Sequence, residues 1–312
     1  MYCRDAIRIA EEQVHTRKSA PKQSKPNTIS ACERLKWIRE LPASITHDIR
    51  GYGESTRPAE MEEATQNHPP LVRSLDAVHD IDAAVDLIRK RAGTSRVSLF
   101  GWATGGQWAG YYATLHSKKL SHLILLNALY GADTQHPAMG HGSDMEDPAH
   151  PGRLNPAIGA YRCNAADSLL GAWNRSIPVD DKARWRDPAV ADAYVREALA
   201  SDPEADAHKP PCFRSPNGAL EDSFYLANGR QLWDASFVYV PTLVLASERD
   251  FWSRPADRDK LKEDLVHALV KVVVIPNATH FVHLDRPEHG RQLLLQEVVG
   301  FIRGDERMTP SR

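Results

Sequence analysis

The stretch Val97–Gly106 has the residue pattern of a turn that presents a nucleophile. Four residues of β-type lead into Gly101-Trp102-Ala103-Thr104-Gly105-Gly106, and a helical pattern follows from Gln107 to His116. In a G-x-S-x-G turn, the sharp bend from strand to helix presents the central side chain alone above the sheet. Small flanking residues prevent collisions with the neighbouring backbone. The central residue here is Ala103, so the pattern predicts the scaffold for a nucleophile without the nucleophile.

The segments around this turn predict a mostly parallel α/β sheet. Apolar runs of this length are typical of strands buried on both faces, and the intervening segments have helical periodicity. Such alternation indicates a doubly wound sheet. The predicted strands are Ala43–Thr46, Val97–Phe100, His122–Asn127, Val240–Ser247 and Lys271–Ile275. The predicted helices are Ser74–Ala92, Gln107–His116, Pro255–Leu269 and Pro287–Ile302.

Two regions depart from this alternation. Residues 1–30 are predicted to be disordered or irregular, because the basic, proline-containing part from Arg17 buries too little apolar surface to offset its ordering entropy. A short helix is predicted over 31–41. Residues 132–237 contain scattered aromatic residues, and Asp187-Pro188 starts a helix that reaches about Ala200. We interpret this region as a mostly helical cap inserted between the core segments 31–131 and 238–312, the latter with a short polar tail.

Composition excludes several classes of function. The net charge of −2 argues against nucleic-acid binding, and no apolar run approaches the roughly 20 residues of a membrane span. Without a secretory signal pattern, we expect a cytoplasmic protein. The four cysteines form no C-x-x-C pair, which predicts free thiols and no zinc or redox motif.

A cluster of histidines and carboxylates in the insertion invites a metal hypothesis. The residues do not have the spacing of ligands on one helix face, so a solvated loop is the favoured interpretation and no metal is expected. They are His136, His141, Asp144, Glu146, Asp147 and His150.

Four segments, taken in order, resemble the α/β-hydrolase superfamily. Asp48–Ser55 resembles the loop after the fourth strand of that fold, and Gly101–Gly106 matches the nucleophile elbow in everything except the nucleophile. Ser247–Asp250 resembles the acid loop, and Asn277–Leu284, followed by Arg286-Pro287-Glu288, resembles the histidine loop. Nucleophile, acid and histidine follow one another in this order in the superfamily. The resemblance covers about residues 31 to 303.

The resemblance implies a catalytic triad with one member replaced. Ala103 occupies the nucleophile position, Asp250 that of the acid and His280 that of the base. A serine hydroxyl needs the imidazole to take its proton, and the carboxylate holds the imidazole in the right tautomer. The backbone N–H of Thr104 would be one oxyanion donor. No His-Gly loop precedes residue 31, so the second donor is unassigned and the N-terminal strands of the sheet are degenerate or missing.

The resemblance also implies a substrate class. Hydrolysis of a small apolar ester or lactone, with no cofactor, is the expected reaction of an intact relative. Trp102 is expected at the substrate pocket, Trp108 in the core, and His283 in a structural role. The sequence leaves the oligomeric state open.

Three explanations of Ala103 remain open at this point. A serine was removed by engineering, the chain lost acyl transfer naturally, or His280 and Asp250 activate water directly. Thr104 as a displaced nucleophile belongs to the last group, although it lies one residue past the bend. The alternative function is a non-catalytic small-molecule-binding module on the same fold.

Overall fold

The computed structural model describes residues 7–11, 44–136 and 138–304, so the helix predicted over 31–41 lies outside the described residues. The strands are β1 (Ile7–Glu11), β2 (Ser44–Thr46), β3 (Val97–Trp102), β4 (Leu120–Leu126), β5 (Tyr161–Ala165), β6 (Cys212–Pro216), β7 (Thr242–Arg249) and β8 (Val270–Thr279). The α-helices are α1 (Ser74–Ala92), α2 (Thr104–His116), α3 (Ala166–Ser176), α4 (Pro188–Ala200), α5 (Gly218–Ala227), α6 (Pro255–Asp264) and α7 (Arg291–Arg303).

Six strands form one twisted sheet in the order β2-β1-β3-β4-β7-β8. The pairs β3–β4, β4–β7 and β7–β8 are parallel. Most apolar residues of β3, β4 and β7 are buried, whereas those of the edge strand β8 are mostly half-buried. Helices separate the strands along the chain, which confirms the predicted doubly wound α/β-hydrolase fold. None of the described helices has the length and apolar character required to cross a membrane.

Strand β1 lies within the segment that the sequence predicted to be irregular. It pairs antiparallel with β2 on one side and with β3 on the other, where Ile9 is opposite Ile45 and Leu99 respectively. The only sequence signal is the spacing of Ile7 and Ile9, a period of two that is too short to distinguish from chance. The sheet therefore has a short antiparallel β1 beside the parallel strands.

Local capping explains the helix boundaries. Helix α1 has the predicted bounds, because Gly93 adopts φ 66° and its N–H donates to the carbonyl of Arg89. Helix α4 begins as predicted, with the Asp187 side chain accepting from the N–H of Ala189 at 2.9 Å. Helix α7 starts later than predicted, since Pro287–His289 forms a separate 3-10 turn that ends at Gly290 with φ 101°.

The insertion between β4 and β7, residues 127–241, combines helices α3 to α5 with strands β5 and β6, which pair antiparallel although α3 and α4 lie between them in the chain. This two-stranded unit, called the β5–β6 hairpin below, was not predicted. It joins Cys163 to Cys212 in a disulfide with their Cα atoms 5.4 Å apart. The prediction of free thiols was therefore wrong for this pair. The two cysteines are 49 residues apart in sequence, and only the pairing of two unpredicted strands brings them together.

One ion pair in the core holds both ends of the insertion. The carboxylate of Asp257, at the start of α6, is fully buried and accepts from the N–H groups of residues 130, 131 and 132 at 2.9–3.2 Å. The guanidinium of Arg254 donates to Asp257 at 2.7 Å and to the carbonyls of Asp133 and Ala227 at 2.9 and 3.2 Å. Entry and exit of the insertion are thus fixed to the same helix N-terminus.

Candidate active site

The elbow, Gly101–Gly106, makes a strained turn between β3 and α2. Ala103 has φ 55° and ψ −115°, a combination that L-residues rarely adopt, and it is fully buried. Its N–H donates to the carbonyl of Leu126 at 2.7 Å, and its own carbonyl accepts from the N–H of Gln107 in the first turn of the helix. A Cβ on Gly101 would lie 2.3 Å from the carbonyl oxygen of Gly105. The glycine at 101 is therefore required by this close approach.

Asp250 and His280 meet in a buried hydrogen bond. The Nδ1 of His280 lies 2.5 Å from Oδ1 of Asp250, and the two side chains are 2% and 3% exposed. Asp250 also accepts from the N–H of Trp252 at 3.0 Å and from the N–H of Ser253 at 2.9 Å. These bonds orient the carboxylate towards the imidazole. The structure thus brings together the two residues that the sequence proposed as acid and base.

Hydrogen bonds to the backbone of His280 connect its loop to β3 and β4. The indole N–H of Trp102 donates to the carbonyl of His280 at 3.0 Å, and Nδ2 of Asn127 donates to the same oxygen at 3.3 Å. Asn127 Oδ1 also accepts from the N–H of Ser247 at 2.7 Å, next to the acid loop. Asn127 therefore ties the histidine loop to the end of β7.

Asn127 is a positioning residue that the sequence reasoning missed. It is buried and has φ 52°. A polar amide directly after an apolar strand was the available signal, because asparagine tolerates the left-handed conformation better than most residues. The sequence cannot show which neighbours such an amide would reach.

The remaining predicted site residues lie around this turn. Thr104 is the first residue of α2 and is buried, and Trp108 is fully buried in the main core, as predicted. The ring of His283 is buried with its centroid 4.3 Å from the ring of Trp102. The roles of Thr104 as an oxyanion donor and of Trp102 as a pocket wall stay predictions.

Helix α3 of the insertion packs against the histidine loop. The Trp173 ring stacks on Phe281 with centroids 5.0 Å apart, and its indole N–H donates to Asp285 at 2.8 Å. Asp285 is fully buried and also accepts from the Thr279 hydroxyl at 2.7 Å. Burial raises the pKa of the Asp285 carboxyl. The histidine loop is therefore held from below by the sheet and from above by the insertion.

The turn Asp48–Ser55 is held by its own carboxylate and by the insertion. Gly53 adopts φ 55°, and a Cβ there would collide with the Asp48 carboxylate at 2.2 Å. The hydroxyl of Tyr52 donates to the carbonyl of Pro216, at the end of the β5–β6 hairpin, at 3.2 Å. The hairpin thus contacts the core at this turn.

Three histidines of the insertion, His136, His141 and His150, each contact a different partner. The Nδ1 of His141 lies 2.7 Å from Glu146, and the Nδ1 of His150 lies 2.9 Å from Asp147. The hydrogen bond from His141, aided by two backbone N–H groups, lowers the pKa of Glu146 to about 2. His136 instead has its Nε2 2.9 Å from the carbonyl of Trp252.

Comparison with solved structures supports the fold. The peroxisomal alpha-beta-hydrolase Lpx1 from Saccharomyces cerevisiae superposes with a TM-score of 0.54 at 13% identity, covering 91% of this chain and 76% of that chain. A thermophilic esterase from Thermogutta terrifontis gives a TM-score of 0.51 at 19% identity, covering 86% of this chain and 85% of that chain. At these identities the likeness shows the fold alone.

Comparison of sequences identifies the family. Epoxide hydrolase 3 from Xenopus tropicalis is 27% identical over 259 residues, which are 80% of this chain. The chain spans 62% of the length of that relative. Residues 43–287 match the family model described as serine aminopeptidase, S33. Because this match extends over most of the chain, the protein belongs to that family of α/β-hydrolases.

Proposed function

We propose that this protein hydrolyses a small apolar ester, lactone or epoxide without forming a covalent intermediate at residue 103. The observation that carries the proposal is the buried hydrogen bond between His280 and Asp250 beside an elbow whose central residue is Ala103. Burying two titratable side chains costs free energy unless they are paired. A pair kept in this geometry supports a working general base.

The proposed chemistry assigns the nucleophile to water. The methyl group of Ala103 cannot attack a carbonyl or an epoxide carbon. The Nδ1 of His280 is engaged by Asp250, so Nε2 is the nitrogen that takes the proton from water. The N-terminus of α2, which begins at Thr104, supplies positive partial charge for a developing oxyanion. His280 then returns the proton to the leaving alkoxide.

The relatives support the substrate class. Epoxide hydrolase 3 and the Thermogutta terrifontis esterase are named for epoxide and ester chemistry, respectively. Both bond types present an electrophilic carbon and an oxygen leaving group, which suit a base-activated water. The insertion, packed against the histidine loop through Trp173, is the proposed cap over this site.

Wild type, Ala103→Ser and His280→Gln distinguish the mechanisms. On a panel of p-nitrophenyl esters, lactones and styrene oxide, we expect slow turnover by the wild type, faster than the roughly 10³–10⁴-fold over water that an oxyanion hole and binding supply alone. Turnover should fall by roughly 10²–10⁴-fold in His280→Gln, which is the contribution of a general base. A fluorophosphonate probe should label Ala103→Ser, while the wild type and the buried helix control Ala109→Ser stay unlabelled. Stoichiometric labelling of the wild type, or turnover unchanged in His280→Gln, would contradict the proposal.

A binding module on the same fold is the second candidate function, favoured by the lack of a nucleophilic side chain at 103. In that case a small apolar ligand raises the Tm, and no member of the panel is consumed. The His280→Gln variant would then bind the same ligand with little change. Measuring Tm and product in the same samples separates the two functions.

A further inference from the structure

The disulfide of the β5–β6 hairpin has a histidine beside it. One ring nitrogen of His208 and the sulfur atoms of Cys163 and Cys212 all lie within 4.8 Å of one another. Cys163 is exposed, His208 is half-buried and Cys212 is buried. The three residues come from β5, the segment before β6, and β6 itself.

The Nε2 atom of His208 is buried and has no hydrogen-bond partner among the described residues. Leaving a buried polar atom unpaired costs free energy. A disulfide does not offset this cost, because its sulfur atoms are weak acceptors and carry no charge. A thiolate or a metal ion at the same place would offset the cost, because either one can bind the ring nitrogen. The unpaired Nε2 atom of His208 therefore points to a second state of the cysteine pair.

We propose that Cys163, His208 and Cys212 form a redox-gated site for a thiophilic divalent cation, with Zn²⁺ the best match. In the oxidised state the two sulfurs are joined and hold no metal. A dithiol reductant delivers two electrons and two protons and is itself oxidised to a disulfide, while the S–S bond of the chain breaks and both sulfurs become thiols. Zn²⁺ then displaces two protons, binding two thiolates and one imidazole nitrogen. The charges of the cation and the two thiolates cancel.

The distances suit this ligand set. Zinc binds sulfur at about 2.3 Å and nitrogen at about 2.0 Å in tetrahedral sites, which places two ligating sulfurs about 3.8 Å apart. The Cα atoms of Cys163 and Cys212 are 5.4 Å apart, so rotation of the side chains separates the sulfurs by this amount. The imidazole nitrogen, within 4.8 Å of both sulfurs, needs to move by about 1 Å. Solvent reaches the exposed Cys163 side and supplies the fourth ligand.

In the reduced state the bound metal would cross-link β5 and β6 in place of the disulfide. In either redox state the hairpin remains cross-linked, by a disulfide when oxidised and by zinc when reduced. The hairpin ends at Pro216, which contacts Tyr52 in the core. The site therefore keeps this contact in place under reducing conditions.

Zinc binding to the full chain with Cys3 and Cys32 replaced by serine tests the proposal, because only the hairpin pair of cysteines then remains. Metal-free protein is oxidised, or reduced with a phosphine under anaerobic conditions, and titrated with Zn²⁺ against a chromophoric chelator. We expect about one Zn²⁺ per reduced chain and none per oxidised chain. Co²⁺ should give a sulfur-to-metal charge-transfer band in the reduced form alone. Zinc should also raise the Tm of the reduced protein.

The His208→Ala variant separates this site from a simple dithiol. It leaves both cysteines in place and should weaken binding beyond the roughly 10–100-fold that loss of an outer-shell partner costs. His150→Ala, in the exposed loop of the same insertion, is the matched control and should bind as the parent does. The proposal is overturned if the reduced chain binds no zinc, if oxidised and reduced chains bind equally, or if His208→Ala binds as tightly as the parent.

Discussion

Replacing Ala103 by glycine should relieve the strain of the elbow. At φ 55° and ψ −115° the Cβ of an L-residue is unfavourable, and glycine adopts the same backbone freely. Such a conformation costs about 1–3 kcal/mol for a residue other than glycine. The substitution Ala103→Gly removes that cost from the folded state. It also removes a fully buried methyl group and makes the unfolded chain more flexible.

A second alanine, in the helix that follows the turn, measures the free energy lost with the methyl group and with the greater flexibility of the unfolded chain. Ala109 is fully buried and lies in the regular part of α2. Its replacement by glycine should destabilise the fold by about 2 kcal/mol, of which about 0.8 is the lost methyl group and about 1 is the backbone freedom that glycine adds to the unfolded chain. The same losses apply at 103. The difference between the two variants is therefore the strain itself, about 1–3 kcal/mol.

Urea unfolding of wild type, Ala103→Gly and Ala109→Gly provides the assay. We expect the free energy of unfolding of Ala103→Gly to be within about 1.5 kcal/mol of the wild-type value. It should exceed that of Ala109→Gly by at least about 1 kcal/mol. The m-values should agree, which would show that all three unfold over the same surface. Equal losses in the two variants would mean that the elbow is unstrained and that the backbone at 103 is not as described.

Two further predictions concern the stability of the fold. Burial raises the pKa of Asp202, but hydrogen bonds from Arg214 outweigh burial and bring that pKa from 3.8 down to about 2. The pair should therefore contribute about 2 kcal/mol to the free energy of unfolding above pH 4, and this contribution should be lost as the pH falls towards 2. In urea unfolding, the difference in stability between wild type and Asp202→Asn should be largest at pH 6 and should disappear below pH 3. A Cβ at Gly110 would lie 2.3 Å from Trp233, whereas one at Gly300 meets nothing within 4 Å. Gly110→Ala should therefore destabilise the fold by about 1–3 kcal/mol, and Gly300→Ala should stabilise it by roughly 0.5–1 kcal/mol. A higher Tm for Gly110→Ala than for Gly300→Ala in calorimetry would contradict this packing.

Local patterns in the sequence predicted the core well because the interactions that decide them are close in sequence. Gly93 caps the end of α1 and Asp187 caps the start of α4, and each cap lies within four residues of the group that it satisfies. The tight turn at Gly101–Gly106 was recognisable for the same reason. Its glycines at 101 and 106 are required by contacts within the turn and with the neighbouring Ala128.

The features that were missed depend on partners far along the chain. The β5–β6 hairpin forms between strands that are about fifty residues apart, and neither strand has an alternating pattern strong enough to show it. The disulfide between Cys163 and Cys212 follows from that pairing. Asn127 reaches His280 across 153 residues, so its role is invisible in the sequence around it.

The ion pair between Arg254 and Asp257 has a consequence for the order in which a newly made chain can fold. The N–H of Ala132, near the start of the insertion, bonds to a carboxylate 125 residues further along the chain. The carbonyl of Ala227, near its end, bonds to a guanidinium only 27 residues further along. At about 5–20 residues per second of synthesis, the exit is anchored roughly 1–5 s after it is made and the entry roughly 6–25 s after. A nascent chain that ends before residue 254 therefore lacks the anchor that fixes both ends of its insertion, although the contact of Tyr52 with Pro216 can already form.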